Sequence, residues 1–144
     1  MYYMPNVFMP MREIYKHVLI VDDSEPDQLI ARKIMQITGL AKDVCVKSTY
    51  HSAIEYLKNA RKHPEDQPDF IFLDLNLPFM SGLEFLDHVK KQEQLQNIPV
   101  IIYSTSSRES DKKRAKELGA FEYLTKPNTM TELKQMLQDV VPMA

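Results

Sequence analysis

Apolar runs alternate with amphipathic segments five times along this chain. The runs predict strands at about 17–22, 43–47, 70–74, 99–104 and 121–125. The segments between and after them predict helices at about 26–38, 51–61, 83–92, 107–118 and 129–140. Strands that alternate with helices predict one α/β domain, in which a parallel sheet carries helices on both faces.

The first predicted helix has residues suited to both of its ends and an apolar face. Ser24 is placed to cap the N-terminus, and Gly39 is placed to end the helix. Apolar residues recur at helical spacing and are expected to form the inner face: Leu29, Ile30, Ile34 and Ile37.

Polar residues follow four of the five apolar runs. They are Asp22 and Asp23, Asp74, Ser104, and Lys126. In an open parallel α/β sheet, ligands bind outside the carboxyl ends of the strands. We therefore expect these side chains to meet at one edge, with the Asp74 carboxylate exposed at the end of a buried strand.

Three neighbouring acids would repel one another and raise some of their pKa values unless a cation neutralises them. Mg²⁺ is the natural candidate, because it prefers hard oxygen ligands. A carboxylate beside Mg²⁺ can attack phosphorus and form an aspartyl phosphate, which assigns that role to Asp74. Lys126 and the Ser104 hydroxyl would then contact the phosphoryl group. Taken singly, Lys126 also fits a solvated strand end, and the segment 104–107 also fits a cap for the next helix.

Composition limits the remaining classes. A chain of 144 residues with net charge −2 fits one domain and argues against a nucleic-acid-binding surface. Its single cysteine, Cys45, cannot form an internal disulfide, which fits a reducing cytoplasm. No apolar run approaches the length of a membrane span, so no membrane insertion is expected. Residues 1–15 are interpreted as a flexible leader, and residues 16–144 as the domain. The alternative for the leader is a docking segment whose Tyr2, Tyr3 and Phe8 cover an apolar patch.

The strand ends together resemble the receiver domain of two-component response regulators, over about residues 16–141. The resemblance lies in four motifs in the same order: LIVDD at 19–23, FLDLNLPFMSG at 72–82, PVIIYS at 99–104 and GAFEYLTKP at 119–127. It implies a flavodoxin-like, doubly wound fold with strand order 2-1-3-4-5 and five helices. It also implies a stand-alone signalling receiver that is not an enzyme beyond its own phosphorylation and dephosphorylation.

The resemblance also implies roles for individual residues. Asp74 would be the phosphoacceptor, and Mg²⁺ would be held by Asp22, Asp23, Asp74 and the main-chain carbonyl of Asn76. Ser104 and Lys126 would hold the phosphoryl group, and Ser104 and Tyr123 would act as switch residues. The donor would be a sensor histidine kinase or a histidine phosphotransfer protein. Output would pass to an unknown protein through the fourth helix, fifth strand and fifth helix, or by onward phosphotransfer; homodimerisation stays open.

Two other hypotheses remain at this point. A phosphohydrolase with an aspartate nucleophile would carry a second acid two residues after it, where this chain has Asn76. A receiver that binds partners without phosphorylation would not need the full set of acids, hydroxyl and lysine. Thr105 stands where the family often has a smaller residue, which leaves the phosphoryl lifetime open.

Overall fold

The computed structural model describes residues 17–77 and 80–143. Its five strands are β1 (His17–Val21), β2 (Asp43–Lys47), β3 (Phe70–Leu73), β4 (Val100–Ser104) and β5 (Glu122–Thr125). The five α-helices within the described residues are α1 (Glu25–Ile37), α2 (Tyr50–Lys62), α3 (Gly82–Lys91), α4 (Glu109–Glu117) and α5 (Met130–Val140). Short 3₁₀ turns occur at Pro64–Asp66 and Val141–Met143. The predicted leader, residues 1–15, lies outside the described residues, so the division at residue 16 stays a prediction.

The strands form one parallel sheet in the order β2-β1-β3-β4-β5. This confirms the α/β class and the strand order that the sequence resemblance implies. The order reverses between β1 and β3, because the chain moves outward to β2 before crossing back. The carboxyl ends of these two strands flank the place where ligands bind in open α/β sheets.

Two apolar layers cover the sheet, since successive residues of a strand point to opposite faces. One layer packs Ile20 and Phe72 against α1 and α5, and the other packs Leu19 and Ile71 against α2, α3 and α4. Nearly every side chain of β1, β3 and β4 is buried, as expected for central parallel strands. The buried central strands therefore carry the ends where the polar residues lie.

The predicted inner face of α1 is partly wrong. Ile34 is buried, but Leu29 is 59% exposed and Ile37 is 75% exposed. The buried stripe is formed by Ala31, Ile34 and Met35. At 3.6 residues per turn, Leu29 lies on nearly the opposite side of the helix from this stripe, and Ile37 lies at its flank. The predicted ends of this helix are confirmed: Ser24 caps the first turn, and Gly39 has a φ of 77°.

Helix α3 begins earlier than the sequence indicated, at Gly82 rather than after it. Ser81 is the N-cap, and its hydroxyl accepts a hydrogen bond from Leu83 N at 3.2 Å. A Cβ at position 82 would lie 2.6 Å from Leu75 Cα and 2.7 Å from the Tyr50 hydroxyl. Only glycine therefore lets the start of α3 approach the segment that follows Asp74 so closely.

Candidate functional site

Three carboxylates converge at the carboxyl ends of β1 and β3. Val21 and Leu73 are partners in the parallel register, so the residues that follow them, Asp22 and Asp74, are neighbours. One oxygen from each of Asp22, Asp23 and Asp74 lies within 4.8 Å of the others. The expectation that Asp74 is exposed is wrong: Asp74 is 5% exposed and Asp22 is 3% exposed, whereas Asp23 faces solvent.

The buried Asp74 has protein partners for both its main chain and its side chain. Its N–H donates to Val21 O at 2.9 Å, and its carbonyl accepts from the Tyr50 hydroxyl at 2.6 Å. Its Oδ1 accepts from Asn76 N at 3.0 Å. Burial raises the pKa of Tyr50 well above its usual range, so this tyrosine keeps its proton and stays a donor. The carboxylate is thus held in one orientation.

Lys126 brings a positive charge to these acids from the end of β5. Its main-chain N–H donates to Ser104 O at 2.7 Å, which fixes the residue beside β4. Its Nζ lies 2.8 Å from Asp27 Oδ2, 3.3 Å from Asp74 Oδ2 and 3.6 Å from Asp22 Oδ2. Burial alone would lower the pKa of Lys126, but the surrounding acids raise it above its usual range. The ammonium group is therefore charged at neutral pH.

One lysine does not neutralise the cluster. Burial, helped by repulsion from Asp74 and Asp27, raises the pKa of Asp22 to about 6, against the opposing effects of the Ser24 N–H and Lys126. An ionised Asp22 is thus costly in the protein alone. The cluster offers carboxylate oxygens, which are the hard ligands that Mg²⁺ prefers, and an excess of negative charge that a divalent cation would offset. These residues therefore fit the expected metal.

Ser104 lies on the other side of Asp74 and is fully buried. Its Oγ accepts from Asn76 Nδ2 at 3.2 Å and from Ser106 N at 3.2 Å. Asn76 Nδ2 also lies 3.3 Å from the hydroxyl of Thr105, which is exposed. The structure thus brings Ser104 and Asn76 to the same edge as the acids.

The segment 104–107 does not cap helix α4 with a side chain, since Arg108 occupies the N-cap position without such a hydrogen bond. Ser106 instead links the site to the first turn of that helix. Its Oγ donates to Asp111 Oδ2 at 2.6 Å, and its carbonyl accepts from the Tyr123 hydroxyl at 2.9 Å. The hydrogen bond from Ser106 holds the pKa of Asp111 below its usual range, with help from Arg108. Tyr123 is half-buried.

Two residues at this edge were absent from the predicted site. Asp27 lies in the first turn of α1, where an acid is common because it interacts favourably with the helix dipole. Tyr50 is the first residue of α2 and looks in the sequence like an ordinary core aromatic. Neither follows an apolar run, so the strand-end pattern that revealed the other residues could not reveal these two.

A sequence model of one protein family, the response regulator receiver domain, matches residues 18–138 of this chain. The chain belongs to this family. The receiver domain is 29% identical over 126 residues to the response regulator Rcp1 of Synechocystis, covering 87% of this chain and 86% of Rcp1. It is 31% identical to the phosphate regulon transcriptional regulatory protein PhoB of Escherichia coli, covering 90% of this chain but only 55% of PhoB.

Solved structures agree with this assignment of the receiver domain. The Mn²⁺-bound form of Rcp1 superposes with a TM-score of 0.76 at 29% identity, over 87% of this chain and 91% of Rcp1. The phosphorylated cyanobacterial phytochrome response regulator RcpA superposes with a TM-score of 0.78 at 27% identity, over 90% of this chain and 96% of RcpA.

The family is one of signalling domains in two-component systems, which does not favour the phosphohydrolase hypothesis. That hypothesis also needs an acid where the receiver domain has Asn76. Within residues 17–77 and 80–143, no helix has both the length and the apolar character needed to cross a membrane.

Proposed function

We propose that this receiver domain accepts a phosphoryl group on Asp74, in the cytoplasm, from a sensor histidine kinase or a histidine phosphotransfer protein. The observation that carries the proposal is the burial of Asp74 between two further acids and Lys126, with a hydroxyl and an amide on its other side. A lone strand-end aspartate would need none of these neighbours.

The transfer follows from the positions of the Asp74 oxygens. A carboxylate oxygen attacks phosphorus, the new O–P bond forms, and the bond from phosphorus to the donor's imidazole nitrogen breaks. The nitrogen leaves with the electron pair and is protonated. Lys126 would balance negative charge on the transferring oxygens, while the Ser104 hydroxyl would turn to donate to one of them.

Magnesium would be held by Asp22, Asp23, Asp74 and the carbonyl of Asn76. When bound, it would supply positive charge to the phosphoryl oxygens and relieve the repulsion among the carboxylates. Asp23 is the exposed member of the cluster and lies where an ion would enter, whereas Asp22 and Asp74 form the buried wall.

The switch would run through Ser104 and Tyr123. Phosphorylation adds roughly −1.5 to −2 charges. Ser104 would move toward the new oxygens, which changes its hydrogen bond with Ser106 N and, through Ser106, the contacts of Tyr123 and Asp111. The surface of α4, β5 and α5 would then change its affinity for a partner, or the phosphoryl group would pass to another histidine.

The test uses Mg²⁺ and acetyl phosphate, read by intact mass. We expect one added phosphoryl group in the wild-type protein and none in Asp74→Asn. Beryllofluoride binding covers the case of a phosphoryl group that hydrolyses before it is detected. A protein that gains no mass and binds no beryllofluoride would contradict the proposal and favour a receiver that acts without phosphorylation.

A further inference from the structure

We infer that Asp27 is a positioning residue that competes with the phosphoryl group for Lys126, and so opposes the phosphorylated state. This inference rests on the proposed function. Among the three acids around Lys126 Nζ, Asp27 is the nearest at 2.8 Å, compared with 3.3 Å for Asp74 and 3.6 Å for Asp22. In the resting protein the lysine is thus bound more closely to α1 than to the phosphoacceptor.

Asp27 differs from the other two acids in what it can bind. The cluster of possible metal ligands contains Asp22, Asp23 and Asp74 but not Asp27. A cation at that cluster would attract the oxygens of Asp22 and Asp74 and repel the ammonium group of Lys126. Asp27 would then remain the principal partner of Lys126. The ion pair between them would therefore be stronger when a cation is bound than when the cluster is empty.

The pair is also sheltered enough for its charges to matter. The Lys126 side chain is 13% exposed and that of Asp27 is 34% exposed. The ammonium group also lies 5.1 Å from the centre of the Tyr103 ring, a cation–π contact that helps to hold it in place. When a phosphoryl group arrives on Asp74, the lysine can approach its oxygens only as its contact with Asp27 weakens.

Loss of the Asp27 charge should therefore have opposite effects on a cation and on an anion. Asp27→Asn keeps the size of the side chain and removes one negative charge. We expect the affinity for beryllofluoride at saturating Mg²⁺ to rise about three- to tenfold, and the affinity for Mg²⁺ alone to fall about two- to fivefold. A merely structural role would move both affinities in the same direction.

A matched control exists on α3. Asp87 is 38% exposed and pairs with Lys91 at 2.9 Å, so Asp87→Asn removes an aspartate–lysine ion pair of nearly the same length. Within the described part of the chain, the Asp87 side chain forms no ion pair with a site residue. Both affinities should be unchanged in this variant. Asp27→Glu should restore values near those of the wild-type protein, because it returns the charge.

The experiment is titration calorimetry of the four proteins with Mg²⁺, then with beryllofluoride at saturating Mg²⁺. Side-chain nitrogen NMR of Lys126 in metal-free protein adds a readout that needs no ligand, and its signal should broaden toward solvent exchange in Asp27→Asn. Unchanged or weaker beryllofluoride binding by Asp27→Asn would overturn the inference. Absence of beryllofluoride binding by the wild-type protein would instead contradict the proposed function.

Discussion

Two clusters of possible metal ligands in this receiver domain have similar geometry and very different surroundings. Asp22, Asp23 and Asp74 meet at the carboxyl end of the sheet, while His63, Glu65 and Asp66 meet around the 3₁₀ turn that follows α2. In each cluster the three ligand atoms lie within 4.8 Å of one another. Two members of the first cluster are buried, and all three of the second are exposed.

The difference shows that proximity alone does not make a site. His63 Nδ1 lies 3.8 Å from Glu65 Oε1, and most of both side chains is exposed to water. Such exposed pairs contribute little to stability. At the sheet end the same spacing acts in a less polar environment, where burial raises the pKa of Asp22 to about 6. The buried charge is therefore costly at the sheet end, and a bound cation there would lower that cost.

The largest expected contrast between the two clusters concerns Mg²⁺. Asp23→Asn removes the exposed acid that we propose as a ligand, and it should lower the affinity for Mg²⁺ about 100-fold, because charge and coordination would both be lost. Asp66→Asn removes an exposed acid from the second cluster and should leave the affinity unchanged. Titration calorimetry of both variants checks this, and equal losses would mean that the clusters are equivalent.

The next effect concerns stability and pH without metal. The folded pKa of Asp22 is about 6, above its ordinary value of 3.8, so between these values the folded state holds a proton that the unfolded state has lost. The cost of the charge is fully present above about pH 6 and disappears as pH falls toward 4. We expect Asp22→Asn to stabilise the metal-free protein by about 1 to 3 kcal/mol at pH 7 and by nothing near pH 4.

Urea unfolding at several pH values measures this difference, with Glu65→Gln as the control from the exposed cluster. Addition of Mg²⁺ should stabilise the wild-type protein and have much less effect on Asp22→Asn, because a ligand stabilises only the state that binds it. An Asp22→Asn protein that is less stable than wild type at pH 7 would show that the buried charge is already compensated.

A smaller effect is expected from the tyrosine hydroxyls near the two clusters. Tyr50→Phe leaves the buried carbonyl of Asp74 without its 2.6 Å hydrogen bond and should cost about 1 to 2 kcal/mol. Tyr56→Phe removes a hydroxyl that pairs with His17 at the other end of the sheet, where water can replace it, and should cost less. Chemical denaturation measures the free energy of unfolding of both variants. A larger loss in Tyr56→Phe than in Tyr50→Phe would contradict the expected difference between the two ends of the sheet.

The smallest effect is expected at the exposed cluster itself. His63→Ala should change the free energy of unfolding by no more than about 0.5 kcal/mol, because the side chain is 64% exposed and its pairing with Glu65 is loose. Thermal unfolding with and without Mg²⁺ measures it. A Mg²⁺-dependent difference between this variant and wild type would identify a second metal site.

The sheet and its polar edge could be predicted because both depend on patterns that lie along single strands. Continuous apolar runs such as Phe70–Leu73 require burial on both faces, and a polar residue directly after such a run must lie at the strand end. The strand order came from the family resemblance, since periodicity alone does not choose which strands are neighbours.

The predictions that were wrong or incomplete concern residues whose burial or position depends on packing between different elements. Leu29 has the right residue type for a helix core, but the stripe that packs on the sheet is set by Ala31 and Met35 on the other side. Asp74 is buried rather than exposed because Tyr50 and Lys126, from α2 and the end of β5, lie against it. Asp27 joins the site from a helix turn, where acids are too common to signal a role.

The hydrogen bonds around Asp74 have a consequence for the kinetics of transfer. Val21 O, the Tyr50 hydroxyl and Asn76 N hold the main chain and one carboxylate oxygen before any donor arrives. Reactions between groups that are already oriented avoid much of the entropy loss of a bimolecular encounter. If Asp74 is the phosphoacceptor, as we propose, its share of that loss is incurred once, when the protein folds. Even a small phosphodonor that has no docking surface would then meet an aspartate that is already oriented.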